Sequence, residues 1–112
     1  MSLKGWEARL AIEGSPPRLV RRVGPIWQEW VQLDRVTRIV AENMDALTHD
    51  SIWLTLETDD LRSLRISEFD ASFNSMVEQL AQRFPGVERF SEATPEEPFA
   101  HAEMILWVAT NG

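Results

Sequence analysis

Between Ser51 and Gly86 the hydrophobic and polar positions spell out strand, turn, strand, capped helix and stop in succession. Ile52, Leu54 and Leu56 alternate with Trp53, Thr55 and Glu57, the period of a strand with one face buried. Asp59-Asp60 makes a tight connection, and Leu64 and Ile66 mark the inward face of a second strand, so the pair reads as a hairpin. Ser67 and Asp70 have the spacing of a capping box with the shorter acid, and Asp70 is itself a competing N-cap. Phe69, Phe73, Met76, Val77, Leu80 and Phe84 then recur on one helical face, opposite Asn74, Ser75, Glu78 and Gln82. The spacing predicts a helix over about 69–84, stopped by Pro85-Gly86. So large an apolar face has to lie on a sheet.

The flanking segments carry weaker versions of the same signals. Trp6, Ala8, Leu10 and Ile12 alternate with Glu7, Arg9 and Ala11 as a half-buried strand does. Gly14 to Pro17 punctuates a turn, and Leu19 to Val23 reads as a second strand carrying Arg18, Arg21 and Arg22, so a hairpin is expected over 6–23. Two more strands are expected at about 28–33 and 36–42, as an antiparallel pair or one long bent strand, followed by a turn from Asn43 to Asp50. Beyond the helix, an acidic connector from Ser91 to Pro98 leads to the apolar run Met104 to Val108, read as a last strand that joins an existing edge. The expected architecture is one α+β domain over residues 1–112. It has a bent antiparallel sheet or partly open β-barrel, one main helix packed on it, and a C-terminal strand.

Charge and composition narrow the function. Eighteen acidic against eleven basic residues give a net charge of −7, which argues against general binding to nucleic acid or anionic membranes. The charge is uneven: residues 1–66 hold ten acidic and nine basic side chains, residues 67–112 eight and two. Cysteine is absent, which excludes disulfides, thiolate nucleophiles and sulfur-ligated metals. No apolar run approaches the ~20 residues of a membrane span, and the first ten residues hold no signal-like stretch, so a cytoplasmic location is expected. His49 and His101 stand in no ligand spacing, and His49 beside Asp50 is the one pair an enzyme could use. There is no nucleophile elbow and no glycine-rich phosphate loop. Neither an enzyme, a cofactor nor a metal is expected.

Arginine and tryptophan hold the remaining chemistry. Arg18 and Arg22 share parity on the second strand and, with Arg21, form the candidate anion-binding cluster. Arg35, Arg38, Arg62 and Arg65 lie on or near other strands. These guanidiniums either converge on an anion or pair with Glu7, Glu29 and Glu57 across strands. Of five tryptophans, Trp27, Trp30 and Trp53 are the candidate interface residues, Trp53 because it opposes the Ile52/Leu54/Leu56 face.

Asp50, Ile52, Leu54 and Leu56, then Ile66 to Asp70, then Phe73, Val77 and Leu80 form a pattern that resembles the end of the pleckstrin-homology-like fold, as seen in small bacterial proteins of that type. The likeness covers about residues 50–86 and implies a bent sheet or partly open barrel closed by the helix. Lipid-binding members of that family use a basic cluster at the first hairpin, whose counterpart here is Arg18, Arg21 and Arg22. The expected function is a non-enzymatic interaction module that self-associates as a homo-oligomer. The alternative is a binder of an anionic small molecule or lipid headgroup through the arginine cluster.

Overall fold

The computed structural model describes residues 8–45, 50–92 and 101–110. Along the chain these form β1 (Ala8–Glu13), β2 (Arg18–Val23), β3 (Trp27–Gln32), β4 (Val36–Asp45), β5 (Asp50–Thr58), β6 (Ser63–Ser67), α1 (Phe73–Arg83) and β7 (His101–Val108). Short 3₁₀ turns lie at Leu33–Arg35 and Val87–Glu92. The class is α+β, as expected. The strands form two antiparallel sheets, β1-β2-β3 and β6-β5-β4-β7, in place of the expected single bent sheet or partly open barrel, and the described strands do not close into a barrel.

The division falls at Leu33. The third and fourth strands form neither the antiparallel pair nor the one long bent strand expected, because the 3₁₀ turn sends β3 and β4 into different sheets. Leu33 is buried and its N–H donates to the Pro17 carbonyl at 3.0 Å, while the Asp59 N–H donates to the Arg35 carbonyl at 3.0 Å. The turn is thus anchored to the hairpin connections of both sheets, and β4 is released to pair with β5 and β7.

The alternation seen in the sequence is the burial observed. Leu10, Leu19 and Val31 face the core from the first sheet. Ile39, Ala41, Leu54, Leu56, Leu64 and Ile66 face it from the second. The C-terminal strand pairs with β4, the edge left free by β5. Its register slips between Ile39 and Val40, with Trp107 opposite the first and Ile105 opposite the second. That bulge re-aims the strand, so that Leu106 is buried and Trp107 also packs on the core.

The helix starts later than its apolar spacing suggests. Phe69 is 66% exposed, and α1 begins at Phe73. Ser72, at φ 71°, occupies the N-cap position in a left-handed conformation and makes no side-chain cap. The capping box is used differently: the Asp70 carboxylate accepts the Ser67 N–H at 2.8 Å, and Ser67 Oγ accepts the Phe69 N–H at 3.1 Å. Both bonds close the loop before the helix. From Phe73 onward the reading holds, with Phe73, Met76, Val77, Leu80 and Phe84 buried against the sheets. Each contributes roughly 1.5–3 kcal/mol of apolar burial. Phe84 meets Trp107 edge-on at 4.7 Å between ring centroids, which locks the helix end to β7.

Candidate functional site

Strand parity separates the three candidate arginines. On β2, Leu19 and Arg21 turn toward the core side, while Arg18, Val20 and Arg22 turn outward, so Arg18 and Arg22 share a face as expected and Arg21 does not. Arg21 lies opposite Leu10 on one side and Glu29 on the other. Its Nε and Nη2 donate to the two carboxylate oxygens of Asp70 at 2.9 and 3.2 Å, and Nη1 donates to Glu29 at 3.4 Å. The hydrogen bonds to Asp70 raise its pKa above the ordinary arginine value, against the opposing effect of burial. Its donors are engaged by the fold.

Arg22 is engaged too. Both its terminal nitrogens donate to the Glu13 carboxylate, and Nε donates to Gln28 Oε1 at 3.3 Å. Arg35–Asp59, Arg38–Glu57, Arg65–Glu42 and Arg89–Glu92 are ion pairs of 3.1–3.4 Å. Pairing with a carboxylate, across strands or within and between turns, is therefore the fate of most guanidiniums among the described residues.

Arg18 is different. Glu13 stands opposite it in the strand register but gives its carboxylate to Arg22, and Arg18 has no ion pair among the described residues. Its guanidinium instead lies over the Trp30 ring, 4.4 Å from the centroid. Arg62, from the β5–β6 connection, lies over the same ring at 4.0 Å, and its nearest carboxylate among the described residues is Asp60 at 4.0 Å. A shallow groove of about 280 Å³ beside them is lined by Gln28, Glu29, Trp30, Arg62 and Ser63. The structure thus brings together Arg18, Trp30 and Arg62, where the sequence grouped Arg18 with Arg21 and Arg22. Arg62 carries no local signal for this role, since it reaches Trp30 only through the contact between the two sheets.

The other candidate tryptophans do not join that site. Trp27 is 59% exposed at the start of β3. Trp53 is half-buried on the outer face of the second sheet, with the Arg65 guanidinium 4.6 Å from its ring centroid. The same sheet ends at β7, where Ile105 and Val108 are exposed and no described strand pairs on the far side. A second groove, of about 620 Å³, runs between α1 and the Val87–Glu92 turn, lined by Val77, Ala81, Phe90 and the carboxylates of Glu78 and Glu88.

Trp6 and His49 lie outside the described residues, as does most of the connector from Ser91 to Pro98, and His101 enters only through its backbone in β7. Among the described residues, no three His, Asp or Glu side chains are grouped to hold a metal, and no helix is long and apolar enough to cross a membrane. Comparison with known proteins finds no family model, no curated protein and no solved structure that matches the chain.

Proposed function

We propose that this protein is a non-enzymatic interaction module of pleckstrin-homology-like type that acts in the cytoplasm and self-associates through β7. The observation carrying this reading is the side of that strand on which no described strand pairs. β7 terminates the four-stranded sheet, and its outer face presents Ile105 and Val108 at 54% and 52% exposure. An edge strand offers unpaired N–H and C=O groups to any other strand, and soluble proteins commonly guard such edges with lysine, proline or inward charge. From Glu103 to Val108 the strand holds one charged side chain, Glu103, and no lysine or proline. Antiparallel pairing of β7 with the β7 of a second copy satisfies those backbone groups and continues the sheet across a two-fold axis. The like-charged surface of a chain at −7 opposes indiscriminate aggregation.

Light scattering over a concentration series tests the reading. The expected result is a dimer that dissociates on dilution and becomes monomeric in Ile105→Lys at the same concentrations. A strict monomer at high concentration removes self-association from the function.

A further inference from the structure

The arginines offer a contrast that the β7 edge does not explain. Arg21, Arg22, Arg35, Arg38, Arg65 and Arg89 each have a carboxylate oxygen within 3.4 Å. Arg18 has none among the described residues, and Arg62 has only Asp60 at 4.0 Å, beyond hydrogen-bond reach. Arg18 comes from the first sheet and Arg62 from the β5–β6 connection of the second, yet both settle on Trp30. Stacking on an indole fixes the plane of a guanidinium while leaving its N–H edge free to donate, which is the orientation needed for bidentate recognition of an oxyanion. Flexible surface arginines lose more entropy on forming such bonds than these two would.

The surroundings suit a small anion. Gln28 and Ser63 line the neighbouring groove and add polar donors to it. The carboxylate in its wall, Glu29, is directed to Arg21 at 3.4 Å. A volume of about 280 Å³ falls just under the ~300–1,000 Å³ usual for ligand pockets, room for a phosphoryl group and a small part of the molecule that carries it. Two guanidiniums left without close carboxylates on one ring match one dianion better than one monoanion.

We propose that Arg18 and Arg62, held on Trp30 at the seam of the two sheets, bind the phosphoryl group of a small phosphorylated molecule. The probe is inorganic phosphate, titrated at constant ionic strength while the side-chain Nε–Hε resonances of the arginines are followed by NMR. Arg9 and Arg83 are internal controls, being exposed and without an ion pair among the described residues. The expected result is a saturating shift of Arg18 and Arg62 alone. It weakens roughly tenfold in Arg62→Ala, the loss of about one charge-assisted hydrogen bond, and also weakens in Arg18→Lys, which keeps the charge but not the fork. Equal, non-saturating shifts at Arg9 and Arg83 would overturn the site. Acetate binding as tightly as phosphate would overturn the dianion assignment. Co-sedimentation with phosphatidic acid vesicles in the absence of a response to free phosphate would overturn the small-molecule source in favour of a lipid headgroup. Because the readout works on a monomer, its failure is separate from any failure of β7 pairing.

Discussion

Arg21 and Asp70, 49 residues apart in the chain, are joined by two guanidinium–carboxylate hydrogen bonds of 2.9 and 3.2 Å. The Asp70 side chain is 5% exposed and that of Arg21 19%. The pair fastens the loop between β6 and α1 to the first sheet. Alongside it, the Ala71 N–H donates to the Ala8 carbonyl at 2.8 Å and the Leu10 N–H to the Ala71 carbonyl at 3.2 Å. The acid before the helix is thus spent on holding the loop to the first sheet, while the N-cap position falls to Ser72, which makes no side-chain cap.

Removing one partner leaves a buried charge without its counter-ion. Arg21→Ala strands the Asp70 carboxylate with the Ser67 N–H as its remaining strong donor, and a stability loss of about 2–4 kcal/mol is expected. Asp70→Asn loses less, because Arg21 keeps Glu29 at 3.4 Å. Urea denaturation measures both. A loss below about 0.5 kcal/mol in Arg21→Ala, the range of surface substitutions, would show that the pair does not join the sheets.

Acid weakens a different contact. The Arg22 hydrogen bonds hold the Glu13 carboxyl below its ordinary pKa of 4.5. A depressed folded-state pKa means stability that is present above the unfolded value and lost as pH falls through the folded one. Asp60, lowered from 3.8 chiefly by its hydrogen bond from Thr58 Oγ1, behaves the same way in a lower window. Glu13→Gln is therefore expected to be less stable than the parent at pH 7, with the gap closing once the pH is well below 4.5. Thermal unfolding at both pH values measures this. A gap that stays constant would contradict it.

Gly86 is fixed by both conformation and space. Its φ of 111° is one that other residues rarely adopt, and a Cβ there would collide with the backbone carbonyl oxygen of Leu106. Gly86→Ala is expected to cost about 2–4 kcal/mol, since strain and a backbone clash add. Differential scanning calorimetry should record a lower Tm, and an unchanged Tm would mean that the helix end does not pack on β7 as described.

Leu61 is the converse case. It takes φ 65° at the β5–β6 turn while its side chain is 98% exposed, so it bears backbone strain without compensating burial. Leu61→Gly is expected to be neutral or to stabilise the fold by up to about 1 kcal/mol, read as a shift in the urea midpoint. A clear loss of stability would contradict this.

Much of this fold was legible where neighbours in sequence are neighbours in space. Leu54, Leu56, Leu64 and Ile66 announce their hairpin by alternation, and Met76, Val77 and Leu80 announce the helix face by their spacing. Legibility ended where a residue's partner is distant. Asp70 reads as a cap until Arg21 takes its carboxylate, and Phe69 joins the helical pattern although it stays at the surface before the helix begins. Arg18 looked equivalent to Arg22 by parity. Glu13 distinguishes them, and that choice depends on side-chain reach across a strand pair, which no spacing encodes. The junction of Arg62 with Trp30 required knowing that the chain forms two sheets.

The chain's lack of cysteine makes one labelling experiment clean. Glu103→Cys carries a single nitroxide on the outer face of β7, and pulsed dipolar spectroscopy reads distances between copies. Two β7 strands paired edge to edge place the labels less than about 25 Å apart, because eight residues of strand span no more than that. The expected result is one short-distance population at high concentration, abolished by adding Ile105→Lys. A spectrum with no intermolecular distance at concentrations where light scattering reports a dimer would contradict pairing through β7.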